Sequence, residues 1–135
     1  MLKDAAPHAF SGIYLVCGFT DLRYGIDSLA AIIEKRYKMS LFVPNTLFLF
    51  CGRSASKIKG LLWEGDGFLL LYKRVECGWF SWPRTSTDLK NLSYEQFQWL
   101  MQVIDIRLIP LASNIFKGNL ACIIDCGNQP HVFCV

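Results

Sequence analysis

Two apolar, β-rich runs, KIKGLLW (57–63) and FLLLYKRVE (68–76), are separated by only four residues, EGDG (64–67). Runs that close can bury their apolar sides only by folding back on each other, and Asp66-Gly67 suits a tight reversal needing positive φ. An antiparallel hairpin is therefore the fixed point from which the rest of the chain is read. Away from the turn, one arm carries Lys57 and Lys59 and the other Lys73 and Arg74, so four cations are expected to converge at the open end.

The flanking segments supply what the hairpin needs to become a domain. IYLVC (13–17), between Gly12 and Gly18, reads as a buried strand, and TLFLFCG (46–52) is too uniformly apolar for anything but a central strand covered on both faces. Between them, TDLRYG (20–25) reads as a turn, and Asp27 is placed to N-cap a helix reaching about Tyr37. Leu29, Ile32, Ile33, Arg36 and Tyr37 recur on one side of that helix, opposite Glu34, Lys35 and Lys38. CGWFSWPR (77–84) reads as a short edge strand or a packed loop, because Pro83 stops it. Ser93 with Gln96 forms a capping box, opening a second helix to about Asp105 with Phe97, Leu100, Met101 and Ile104 on its apolar face. The pattern predicts an α+β fold: a mostly antiparallel sheet of four or five strands around a central hairpin, with two helices packed on it. That domain is assigned to residues 1–110. Residues 111–135, where only LACIID (120–125) resembles a strand, form an atypical tail.

Composition narrows the function classes. With 53% hydrophobic residues in 135, the chain can bury a sizeable core, yet charges, Gly or Pro interrupt every apolar run before the roughly 18 residues of a membrane span. The start MLKDAAPHAF has no apolar leader segment, so a cytoplasmic protein with reduced thiols is expected. Metal binding lacks a motif: no C-x-x-C occurs, and Cys122, Cys126, His131 and Cys134 make one loose group. Histidine chemistry is equally thin, since His8 and His131 lie in the terminal segments. Asp21, Glu64, Asp66 and Glu76, with Lys73, are the ingredients of a metal-dependent nuclease without its spacing, and no phosphate-binding glycine loop is present. No cofactor is therefore expected, and no catalytic or metal-binding residue is assigned.

The charge distribution is more informative. Ten basic and five acidic residues fall between Glu34 and Lys90, a local balance of +5 against −2 elsewhere. The hairpin cations and Arg84 lie among Trp63, Tyr72, Trp79, Phe80 and Trp82, and cations with interleaved rings are what a nucleic-acid backbone and its bases require.

Taken together, TDLRYGIDSLAAII (20–33), NTLFLFCGR (45–53), the run from Lys57 through WEGDGF, YKR, Glu76 and Gly78 to Trp82-Pro83, and LSYEQFQWLM (92–101) resemble TnpB, the second-reading-frame accessory protein of insertion sequence sixty-six type elements. This is distinct from the RNA-guided nuclease of the same name. The resemblance covers about residues 10–105, and its pattern also includes Asp21, Arg23, Gly25, Asp27 and Arg53. It implies a part in transposition of a bacterial mobile element, alongside a separately encoded transposase that holds the catalytic carboxylates. Departures are Ser54-Ala55-Ser56, where relatives tend to be basic, and QVID after Met101.

Two molecular roles follow as expectations. The first is a non-catalytic factor touching the DNA backbone at element ends through Arg23, Arg53, Lys57, Lys59, Lys73, Arg74 and Arg84. The second is a module docking on the transposase through exposed Trp79 and Trp82; a metal-dependent nuclease ranks behind both.

Overall fold

In the computed structural model, residues 2–103 are described, and they form a five-stranded sheet with helical segments on opposite faces. The strands are β1 (Gly12–Val16), β2 (Thr46–Cys51), β3 (Lys57–Trp63), β4 (Phe68–Arg74) and β5 (Leu89–Asn91), arranged in the order β4-β3-β2-β1-β5. Three of the four pairings are antiparallel, and β1 with β2 is the parallel one. The fold is the expected α+β class. Its hairpin, β3–β4, stands at one side of the sheet, while β2, buried at all six positions, is the central strand.

Alternation along the strands divides the core in two. Facing one way, Val16, Phe48, Phe50 and Leu61 meet α1 (Ile26–Ala31) through Leu29 and Ala30, with Ile33 just beyond its end joining them. Facing the other, Leu15, Leu49 and Ile58 meet α2 (Tyr94–Met101) through Phe97, Leu100 and Met101, joined by Phe80 and Trp82. Burying a phenylalanine or leucine this completely stabilises by about 1.5–3 kcal/mol relative to exposure, so the doubly covered β2 is the energetic centre of the domain.

Several boundaries differ from the periodicity-based reading. The first helix starts at Ile26 behind Gly25 and has no side-chain cap, so Asp27 lies in its first turn instead of capping it. After Ala31 the backbone widens into a π-helical segment, Ile32–Arg36, and stops at Lys38, whose φ of 57° no helix can continue. The capping box of α2 forms as read: Ser93 Oγ accepts from Gln96 N–H at 3.1 Å, and Gln96 Oε1 accepts from Ser93 N–H at 2.8 Å. That helix ends at Met101, four residues before Asp105, because Gln102 is already extended. In the hairpin, positive φ belongs to Gly65 (99°), with Glu64 N–H donating to the Gly67 carbonyl at 2.9 Å. Glycine therefore sits first in a two-residue Gly65-Asp66 loop, the position a type II′ turn assigns to it, and Asp66-Gly67 is not the strained pair. Residues 77–84 are a packed loop, and the three-residue β5 was not foreseen. The proposed tail and the segment LACIID fall outside the described residues.

Candidate nucleic-acid interface

Because β1 and β2 run parallel, the loops that follow them leave the sheet at the same end. Crevices outside the carboxyl ends of parallel strands are where open sheets commonly take ligands. Here Thr20 N–H donates to the Cys51 carbonyl at 2.7 Å, tying the loop after β1 to the end of β2. A Cβ added at Gly52 would come within 3.0 Å of Leu22 Cδ1, so glycine is what lets the two loops approach. Between them lies a cleft of about 370 Å³ lined by Phe19, Asp21, Arg23, Arg53, Ser54 and Lys57, among others.

Each cation of this cleft is held differently. Arg23 folds back onto Asp21: Nε donates to Oδ1 at 3.0 Å and Oδ2 at 3.1 Å, Nη2 donates to Oδ2 at 2.7 Å, and the Arg23 backbone N–H donates to Oδ1 at 2.9 Å. These hydrogen bonds hold the Asp21 carboxyl at a pKa of about 2, below its ordinary 3.8. Arg53 lies over the ring of Phe19, with Cζ 4.8 Å from the centroid, and Phe19 is 57% exposed. Lys57 makes no side-chain hydrogen bond or ion pair among the described residues. Behind it on the same face of β3, Lys59 donates from Nζ to the Tyr24 carbonyl at 2.9 Å and approaches the Tyr72 ring at 5.8 Å.

Arg84 has another task. Its Nη1 donates to the Gly18 carbonyl at 2.9 Å, and its Nη2 donates to the carbonyls of Gly52 at 2.9 Å and Arg53 at 3.3 Å and approaches Cys51 Sγ at 3.5 Å. One planar fork thus staples the loop after β1 to the loop after β2. Both of its terminal nitrogens are engaged by the protein, although the residue is exposed. Beside it, burial pushes the Cys51 thiol up to about 11 despite the nearby guanidinium, so it remains a neutral thiol. Cys17 and Cys51 are free and buried.

The hairpin cations do not converge on one face. Lys57 pairs with Arg74 and Lys59 with Tyr72, but Lys73 pairs with the buried Ile58 and therefore belongs to the α2 side of the sheet. Arg74 is drawn to Glu76 at 3.0 Å. The ingredients of a nuclease are likewise separated: Asp21 lies at the cleft, while Glu64 and Asp66 occupy the hairpin tip at the other end of β3. No group of three metal-ligating side chains occurs among the described residues, and no helix there is long and apolar enough to cross a membrane.

The tryptophans are also redistributed. Trp82 is 7% exposed and donates from Nε1 to the Val16 carbonyl at 3.0 Å, so it is a core residue and cannot be an exposed docking residue. Trp79 is half-buried. Trp99, which the sequence reading passed over, is 69% exposed on α2 beside a groove of about 250 Å³ that includes Leu15, Pro83, Leu92 and Leu100. Helical spacing contained the signal, since Trp99 falls off the stripe made by Phe97, Leu100 and Met101. Phe19 and Tyr24 were missed for a different reason: neither belongs to a periodic element.

Residues 11–110 match the family described as IS66 Orf2 like protein. Two similar proteins come from Sinorhizobium fredii (strain NBRC 101917 / NGR234). The uncharacterized protein y4hO is 35% identical over 95 residues, covering 70% of this chain and 82% of y4hO. The uncharacterized protein y4jC is 25% identical over 85 residues, covering 63% and 72%. No solved structure matches the chain. The family match spans well over half of the sequence and includes both loops of the cleft, the hairpin and α2, so this chain belongs to the IS66 Orf2-like family, the TnpB accessory proteins of IS66-type transposition.

Proposed function

We propose that this accessory protein acts in transposition without chemistry of its own, by holding DNA of the element ends against the cleft between the loops after β1 and β2. The observation that carries the reading is the placement of Arg23, Arg53 and Lys57 around one cleft, with Lys59 behind them. Cations so arranged neutralise successive phosphates and release counterions, adding about 0.9 to the salt slope per contact on duplex and about 0.7 on a single strand. The test is an anisotropy titration of element-end DNA, as duplex and as separated strands, over a range of salt. Binding should weaken steeply with salt, and Lys57→Ala should flatten the slope by about one contact's worth. Absence of binding to either form at low salt overturns the reading.

A second reading is supported by Trp99. An exposed tryptophan beside an apolar groove is the usual anchor of a protein interface, and the element-encoded transposase is the partner this family membership suggests. Trp99→Ala should then weaken co-purification with the transposase while leaving DNA binding unchanged. Retained co-purification removes the second reading.

A further inference from the structure

We infer that the cleft takes an unpaired DNA strand in preference to a duplex, an inference that rests on the DNA-backbone reading and makes it more specific. Two exposed rings carry the argument. Phe19 has the Arg53 guanidinium on its ring and is 57% exposed; Tyr72 has the Lys59 ammonium near its ring and is 54% exposed. Between these two cation–ring pairs lies Lys57, on the same face of β3 as Lys59 and about 7 Å from it along the strand.

The order along the surface is therefore ring and cation, free cation, cation and ring. A duplex offers such a surface only phosphates and sugars, because its base faces are already stacked on one another, and exposed rings add nothing to that contact. An unpaired strand offers base faces at intervals along a charged backbone, and alternating cations and aromatic platforms are how proteins hold it. The cleft, at about 370 Å³, is at the lower end of pockets that enclose small ligands. Phosphates then sit against Lys57 and Arg23, with one base on Phe19 and a following base on Tyr72. A contrast is available within the same molecule: Phe42 is 58% exposed but packs on Trp63 and Phe68 near the hairpin tip, with no cation over its ring among the described residues.

The experiment compares a fluorescent oligo-dT, a duplex of equal length and an oligo-U at one low salt concentration, using the full chain. Oligo-dT should bind at least tenfold more tightly than duplex. Phe19→Ala and Tyr72→Ala should each weaken oligo-dT binding by about tenfold and leave the duplex unaffected. Phe19→Trp, which keeps a platform, should bind oligo-dT at least as tightly as the parent, and Phe42→Ala should match the parent; melting curves verify that each variant is folded. Duplex binding as tight as oligo-dT binding, or ring variants indistinguishable from the parent, overturns the preference while leaving the backbone reading standing. Tighter binding of oligo-U overturns the assignment to DNA, and failure of every nucleic acid to bind overturns both proposals.

Discussion

Arg84 and Asp21 look alike in sequence, each a charged residue beside a turn, yet they do opposite work at the cleft. Arg84 spends its donors on carbonyls contributed by Gly18, Gly52 and Arg53, which lie 66, 32 and 31 residues away. Charge counting cannot separate such a staple from a free cation, because its partners are backbone atoms that every residue has. Arg84→Lys keeps the charge and loses the fork, so it should lower the denaturant midpoint by the equivalent of about 1–2 kcal/mol, with Arg84→Ala at least as damaging. Asp21 is a different case. Its carboxyl is held at about 2 in the fold against an ordinary 3.8, so its stabilising contribution is complete above about pH 4 and disappears as the pH falls towards 2. In acid titrations followed by circular dichroism, Asp21→Asn should remove part of the stability loss in that window. The same variant takes a carboxylate out of the cleft, and DNA binding at low salt should tighten.

At the scale of elements, legibility followed the range of the interactions. The hairpin, the buried β2 and the capping box of α2 are local patterns, and each forms where the sequence placed it, within a residue or two. What could not be read was set from outside the element. The segment containing β5, DLKN, has almost no strand character, and three residues pair there only because β1 offers an open edge. The helix after the first loop was legible as a helix but not as one that widens at Ile32, since its apolar stripe has the same spacing in either geometry. Its end is conspicuous for Lys38, an exposed lysine at φ 57° in a position that favours glycine. Lys38→Gly removes that strain at the cost of a freer unfolded chain, and a net gain of about 0.5–1 kcal/mol in thermal or chemical denaturation is expected.

For the molecule as a whole, the family resemblance was the most informative signal, and the cleft the least: it is assembled from segments around residues 20 and 53, neither of which carries a motif by itself. Residues 2–103 already close both faces of the sheet, with Met101 completing one core. We therefore propose that residues 111–135 lie outside the folding unit, and a chain ended at Pro110 should melt within a few degrees of the full one; a large loss would show that they belong to it. The parallel pairing of β1 with β2 has one more consequence, in time as opposed to space. β2, β3 and β4 pair across short loops and can form early, whereas β1 must wait for a crossover of about thirty residues and for the return of the chain at β5. The seam closed last is also the seam that opens first. Amide protons of Gly18 and Thr20 should therefore exchange with solvent well before those of Phe48 and Leu61. In mild denaturant the protein should then lose its ligand while the hairpin side of the sheet is still intact.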